Sequence, residues 1–142
     1  MAQRLQVSFD AADPPRLAKF WVEALGYVEE PPPPGFDTWE AFAASHGLGP
    51  ESVEQYAALI DPDSKGPRLF FQRVPEDKRA KNRVHLDVSA PEAEGTPDRR
   101  AAVDAFAERL IRLGATRVAD HDQFGQHWVV LQDPEGNEFC VV

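Results

Sequence analysis

The chain has 142 residues, a formal net charge of −9 and 42% hydrophobic residues, which suits one domain of ordinary size with a core. The acidic balance argues against general binding of nucleic acid or anionic membranes, which requires clustered lysine and arginine. The one cysteine excludes an intramolecular disulfide and a cysteine-rich zinc cluster. With no signal-peptide pattern and no apolar run approaching a membrane span of about 18 residues, we expect a cytoplasmic protein.

The first predicted unit is a strand followed by an amphipathic helix. Residues 5–11 alternate between apolar and polar side chains, which is the period of a strand. Asp13 and Pro14 then predict a helix start, as an N-cap and a first-turn proline. Gly26 stands where a left-handed residue ends a helix. The apolar stripe between these ends is Leu17, Phe20, Trp21, Ala24 and Leu25.

The next part of the chain predicts short elements around an insertion. Residues 27–30 are predicted as a strand that stops at four consecutive prolines. Residues 36–46 and 51–58 are predicted as helical pieces. A turn at 61–66 then leads into a clear strand at 68–74.

The second half repeats the pattern of the first. We predict a strand at 84–88, a helix capped by Thr96 or Asp98 that carries its apolar stripe at 103–111, a segment at 116–119, a strand at 127–131, a turn at 133–136 and a strand at 138–142. The fold class is therefore α+β. We predict two tandem βαβββ modules, about 1–76 and 82–142, with an insertion near 30–58, that form a curved mixed sheet around a cleft with the helices outside.

Strand periodicity places polar side chains on the sheet faces that point away from the helices. The apolar partners fix the side of Gln6 and His85 on their strands, whereas the side of Gln72 and Glu138 is left open. Such a face, with at least one aromatic residue, has the make-up of a small-ligand site. The candidate pocket residues are Gln6, Ser8, Asp10, Phe70, Gln72, His85, Asp87, Trp128, Glu138 and Cys140.

Three segments carry a family resemblance: VSFDAADPPRLAKFWVEALGY, RLFFQRVPEDKRAKNRVHLDVSA and WVVLQDPEGNEFCVV. In this order and spacing they resemble the glyoxalase-like proteins of the vicinal oxygen chelate superfamily. That superfamily includes glyoxalase I, extradiol dioxygenases, and fosfomycin- and bleomycin-resistance proteins. The resemblance covers most of the chain outside about 30–58, and it implies dimers by analogy.

The resemblance also implies a divalent metal held by one residue from the first and last strand of each module. His85 matches one ligand, and either Gln6 or Ser8 matches another, depending on how the modules are aligned. Cys140 stands where the family usually has a glutamate, and a thiol prefers softer metals than a carboxylate does. Glu138 is the substitute candidate, as ligand and as catalytic base. The implied set for Zn, Mn, Ni or Fe is Gln6, His85, Gln72 and Glu138.

Simpler interpretations compete with the metal site. His85 and the glutamines can act as hydrogen-bonding residues, and a lone Cys140 is commonly a small core residue. The missing carboxylate favours a small-molecule-binding protein of the glyoxalase/bleomycin-resistance type, with its ligand in the cleft between the modules and without the full metal site. The alternatives are a metal-dependent lyase, isomerase or dioxygenase acting on vicinal oxygens, and a non-catalytic dimerisation scaffold.

Two further features bear on the ligand. Six basic residues against two acidic ones lie between Arg68 and Arg83, which predicts either a solvated loop or attraction of an anionic ligand. Trp39 and Phe42 in the insertion predict either a lid over the cleft or packing of a surface helix.

Overall fold

The computed structural model describes residues 1–91 and 93–142. The chain divides into two compact units, unit 1 from Met1 to Asp77 and unit 2 from Lys78 to Val142. Each unit has one four-stranded mixed sheet flanked by helix, which confirms the α+β fold of two βαβββ modules. None of the helices in the described parts of the chain is long and apolar enough to cross a membrane.

The elements of unit 1 are β1 (Gln6–Ala11), α1 (Pro14–Leu25), β2 (Val28–Glu29), α2 (Trp39–Ser45), a 3-10 helix (Pro50–Gln55), β3 (Tyr56–Ile60) and β4 (Arg68–Arg73). Its sheet has the strand order β1-β4-β3-β2, and β1 pairs with β4 in parallel while the other pairs are antiparallel. The parallel pair joins strands far apart in sequence, so the sheet is complete only when both ends of the unit are in place.

The ends of α1 follow the sequence signals. The Asp13 carboxylate accepts a hydrogen bond from the Arg16 backbone N–H at 3.2 Å. Gly26 ends the helix with a φ of 68°, a conformation that costs glycine little. Both predicted caps are therefore confirmed.

The core of unit 1 forms between α1 and one face of the sheet. Trp21 is 1% exposed and Phe71 is fully buried. Phe9 lies between them, with ring centroids 5.3 Å from Trp21 and 4.8 Å from Phe71. This aromatic cluster fixes which face of the sheet is buried and leaves the other face open.

The segment that links β2 to β3, residues 30–55, differs from the prediction at both ends. α2 begins only at Trp39, because the Thr38 hydroxyl caps it by accepting from the Ala41 N–H at 3.1 Å. The predicted helix over 51–58 is wrong: the 3-10 helix ends at Gln55 and Tyr56 opens β3. Pairing of Tyr56–Leu59 with β4 overrides the weak local helical pattern. We call residues 30–55 the connecting segment.

The elements of unit 2 are β5 (Asp87–Val88), α3 (Arg99–Arg112), β6 (Thr116–Gln123), β7 (Gln126–Gln132) and β8 (Glu138–Val141). The strand order of its sheet is β5-β8-β7-β6, again with one parallel pair, β5 with β8. Asp98, the second of the two predicted caps, accepts from the Ala101 N–H at 3.0 Å and starts α3.

Two strands of unit 2 differ in length from the prediction. β5 is shorter, because its ladder to β8 begins only with the Cys140 N–H donating to the Leu86 carbonyl, and Val84 is 81% exposed. β6 is longer and runs into a hairpin whose turn residues, Phe124 and Gly125, have φ values of 53° and 73°.

The turn between β7 and β8 is built on one buried carboxylate. Asp133 is 2% exposed, and one of its oxygens accepts from the backbone N–H groups of Glu135 at 2.9 Å and Asn137 at 3.0 Å. Gly136 completes the turn with a φ of 84°. The turn predicted at 133–136 is confirmed.

Candidate functional site

The five predicted site residues of unit 1 lie on the open face of its sheet. Ser8 is the register partner of Phe70, and Asp10 is the partner of Gln72. The Gln72 amide donates to the Asp10 carboxylate at 2.8 Å. Gln6 lies on the same face, two residues before Ser8 along β1, and its side-chain amide donates to the Ser8 hydroxyl at 3.2 Å. The structure thus brings these residues together.

Four of the five predicted site residues of unit 2 also share a sheet face. Cys140 pairs with Asp87, and Glu138 pairs with Gln132. Trp128 has the same strand parity as Gln132, so it lies on this face as well. The opposite face carries the fully buried core residues, such as Val129.

His85 does not join that strand set. It precedes β5 and is exposed. Its Nε2 lies 2.8 Å from the Asn82 carbonyl oxygen, and a carbonyl only accepts, so Nε2 carries the proton. The predicted placement of His85 within a strand is therefore wrong, because the ladder that would hold it there starts one residue later at Leu86.

Glu138 is buried, at 8% exposure, in a cage of donors. Lys78 Nζ lies 3.0 Å from one carboxylate oxygen, and the Asn82 N–H donates at 2.8 Å. Burial alone would raise the pKa of Glu138, but the hydrogen bonds from Asn82 and Lys78 outweigh burial and lower its pKa from 4.5 to about 2. A carboxylate with so low a pKa is a weak base near neutral pH, so the cage indicates that Glu138 holds the chain at 78–82 in place.

We expect acid to weaken unit 2 through Glu138. The pKa of Glu138 is about 2 in the folded chain, against an ordinary value of 4.5. The ionised carboxylate therefore contributes fully to the free energy of unfolding above about pH 4.5, and this contribution is lost progressively as the pH falls to about 2. Urea unfolding of the parent and Glu138→Gln at pH 7 and pH 3 should show a stability difference that shrinks at pH 3. Glu94→Gln, at an exposed position, is the control and should differ little at either pH. An undiminished Glu138→Gln difference at pH 3 would contradict this account.

The predicted metal ligands do not fit a divalent cation. The Gln6 carbonyl oxygen already accepts from Arg68 at 2.6 Å, His85 uses Nε2 as a donor, and an ammonium already faces the Glu138 carboxylate. Within residues 1–91 and 93–142, no group of three or more His, Cys, Asp or Glu side chains is arranged to hold a metal ion. Each of these three predicted ligands is therefore already engaged by a different residue of its own unit.

Cys140 is 8% exposed in the sheet of unit 2. Burial raises the pKa of its thiol, and the charge of the neighbouring Asp87 raises that pKa further. The thiolate is the form that ligates metals, so this environment makes Cys140 a poor substitute for a glutamate ligand.

Unit 1 contains a pocket of about 450 Å³, which sequence reasoning located only in part. Its walls come from α1, β2, the connecting segment, β3 and β4. This volume lies within the usual range of small-molecule sites. The aromatic, histidine and arginine side chains in its lining are Trp39, Phe42, His46, Tyr56, Arg68 and Phe70.

The connecting segment supplies an aromatic wall. The Trp39 indole N–H donates to the Glu30 carbonyl at 3.0 Å, which anchors α2 to the end of β2. The Phe42 ring lies 5.7 Å from the Trp39 ring at 87°. The His46 ring follows 4.5 Å from the Phe42 ring. Trp39 and Phe42 therefore form one side of the pocket.

The sheet supplies another wall of the pocket. The Tyr56 and Phe70 rings stack with centroids 5.7 Å apart and 20° between their planes. The Arg68 guanidinium lies 5.3 Å from the Phe70 ring centroid, and its Nε donates to Glu30 at 2.9 Å. The pocket thus has apolar walls and a few fixed polar groups at one side.

His46 and Tyr56 were absent from the predicted site. His46 was counted only as the end of a helix, and Tyr56 fell within the segment predicted as helical. Residues 56–60 (YAALI) are all apolar, so no alternation of polar and apolar side chains marks them as a strand that would place Tyr56 near Phe70.

The family profile of the glyoxalase-like domain matches residues 6–142. The chain belongs to the glyoxalase-like family. No curated protein matches it.

Solved structures share the fold of this glyoxalase-like chain. A possible glyoxalase from Bacillus cereus has a TM-score of 0.62 at 14% identity, covering 100% of this chain and 99% of the other. A bleomycin-binding protein from Streptomyces verticillus, complexed with copper(II)-bleomycin, has a TM-score of 0.55 at 16% identity, covering 100% and 96%. A variant of the fosfomycin resistance protein FosX from Listeria monocytogenes, complexed with Mn(II), has a TM-score of 0.64 at 10% identity, covering 99% and 91%.

Proposed function

We propose that this glyoxalase-like chain binds a small, partly aromatic molecule in the pocket of unit 1 and does so without the full metal site of its metal-binding relatives. The pocket is the observation that carries this proposal. It has a volume of about 450 Å³ and two aromatic pairs in its lining, Trp39 with Phe42 and Tyr56 with Phe70. Burial of a flat ligand against such rings is favoured by the hydrophobic effect and by ring stacking.

Two further considerations support binding over metal catalysis. The implied ligands Gln6, His85 and Glu138 are each engaged in other hydrogen bonds or ion pairs. A family relative that shares the fold is itself described as a bleomycin-binding protein, so the fold is compatible with a binding role. The homodimer, the cytoplasmic location and a ligand between the modules stay predictions.

The proposal is tested with Prodan, an uncharged naphthalene dye whose fluorescence rises in apolar surroundings. Ala58 lines the pocket, and Ala58→Phe would fill it with a ring. We expect the parent to bind Prodan and Ala58→Phe to bind it at least about tenfold more weakly. Fluorescence titration gives the dissociation constants, and thermal melting checks that both proteins are folded.

Ala41→Phe is the matched control, because Ala41 is exposed on α2 and does not line the pocket. It should bind Prodan like the parent. The proposal fails if the parent does not bind Prodan, or if the folded Ala58→Phe and Ala41→Phe variants bind it equally well.

A further inference from the structure

The positive charge of Arg68 is compensated inside the pocket of unit 1. Each of the three guanidinium nitrogens donates a hydrogen bond: Nε and Nη2 donate to the two carboxylate oxygens of Glu30, and Nη1 donates to the Gln6 side-chain oxygen at 2.6 Å. An arginine held by both oxygens of one carboxylate forms a strong, directional ion pair. Arg68 belongs to the basic stretch that predicts either a solvated loop or attraction of an anionic ligand, and here its charge is already matched.

This ion pair lies beside the aromatic rings that the sheet contributes to the pocket. The Arg68 guanidinium is 5.3 Å from the centroid of the Phe70 ring, which in turn stacks on the Tyr56 ring. Glu30 and Arg68 both line the pocket, and their side chains are 25% and 34% exposed. A ligand stacked on these rings therefore lies next to a neutral pair of charges rather than next to an isolated one.

The carboxylate of Glu29 does not alter this balance. Glu29 is the register partner of Leu59, which is fully buried on the face of the sheet that packs against the core. Phe70 is the partner of Ala58, so its ring lies on the opposite face. Glu29 is also exposed to solvent. Beside the Tyr56 and Phe70 rings, the charges of the described lining residues are thus those of Arg68 and Glu30, and they cancel.

We infer that the pocket selects uncharged aromatic ligands, and that Glu30 determines this specificity by keeping Arg68 engaged. This inference rests on the proposed function. An anion can pair with Arg68 only by displacing Glu30, and a cation can pair with Glu30 only by displacing Arg68. Either ion therefore loses its hydration without gaining a partner, or leaves a partly buried charge of the protein unpaired. An uncharged ring system stacks on the walls and leaves the pair intact.

Three naphthalenes that share a naphthylmethyl group test the inference by displacement of bound Prodan near pH 7. They are 2-naphthylmethanol, 2-naphthylmethylammonium and 2-naphthylacetate, which are neutral, positive and negative. We expect the alcohol to bind the parent about tenfold more tightly than either ion. An ion that binds the parent as tightly as the alcohol would overturn the inference.

Two variants should change the preference in opposite directions. Glu30→Gln keeps the shape of the side chain but leaves the Arg68 charge uncompensated, so 2-naphthylacetate should gain about tenfold in affinity while the ammonium ion gains nothing. Arg68→Gln leaves Glu30 uncompensated, so the ammonium ion should gain about tenfold while 2-naphthylacetate gains nothing. The alcohol should stay within about twofold of the parent in Glu30→Gln. Thermal melting checks that each variant is folded, and if one is not, the other decides.

Glu40→Gln is the matched control, because it removes the same charge from an exposed residue of α2 that does not line the pocket. Its affinity for 2-naphthylacetate should stay within about twofold of the parent, which separates release of Arg68 from a change in the overall field. The inference is also overturned if Prodan binds but 2-naphthylacetate gains nothing in folded Glu30→Gln, or gains as much in Glu40→Gln. Failure of the parent to bind Prodan overturns the proposed function as well.

Discussion

Replacing Trp21 with alanine is expected to lower the free energy of unfolding of unit 1 by about 3–5 kcal/mol. The side chain is 1% exposed, and its ring contacts those of Phe9 and Phe20 at centroid distances of 5.3 and 5.5 Å. Truncation removes this buried apolar area and leaves a cavity between α1 and the sheet. The neighbouring side chains are closely packed and cannot move enough to fill it. Urea unfolding monitored by circular dichroism measures the change.

The control for Trp21 is a second tryptophan in a different environment. Trp128 is half-buried on the open face of the sheet of unit 2 and stacks on His121 at 5.2 Å. Trp128→Ala should therefore lower the free energy of unfolding by much less, about 1 kcal/mol. Equal losses for the two variants would show that the aromatic cluster around Trp21 is not the centre of the core.

Asp133→Ala is expected to destabilise unit 2 by about 2–3 kcal/mol. The carboxylate is 2% exposed, and Asn137 donates to it from both its backbone N–H and its side-chain amide, at 3.0 and 2.9 Å. Alanine leaves these donors without partners in a part-buried turn. Urea unfolding measures the loss, and Asp133→Asn, which keeps an acceptor oxygen, should recover part of it.

The equivalent turn of unit 1 offers a direct comparison. Asp61 accepts from the backbone N–H groups of Asp63, Lys65 and Gly66. These hydrogen bonds lower the pKa of Asp61, and the bond from Asp63 has the largest effect. The turn is exposed, so water can replace the lost acceptor in Asp61→Ala. The melting temperature should fall less than in Asp133→Ala. A larger fall in Asp61→Ala would contradict the role assigned to burial.

The elements with strong local signals were predictable from the sequence. The Asp13 cap, the Gly26 end and the stripe containing Trp21 define α1 without help from the rest of the chain. The turn at Asp133 was predictable for the same reason, because proline and glycine at fixed offsets specify its backbone. Alternation on β1 also gave the correct open face for Gln6, Ser8 and Asp10.

The remaining features depend on partners far away in the sequence. Tyr56 belongs to a strand because β4 pairs with it, and no local pattern around 51–58 contains that information. The donors of Glu138 come from Lys78 and Asn82, which are 60 and 56 positions away. Residue types alone suggested a ligand or a base at position 138, whereas its neighbours in space make it part of an ion pair.

The parallel pairing of β1 with β4 has a consequence for how this protein can vary. Gln6 and Arg68 meet across 62 positions, so folding of unit 1 must close a long loop before that pair forms. The entropic cost of closure grows only with the logarithm of loop length, about 0.6 kcal/mol for each doubling. The connecting segment lies inside this loop. Insertions and deletions in the connecting segment therefore change the free energy of folding little. They do change one wall of the pocket, so ligand preference can evolve with little loss of stability.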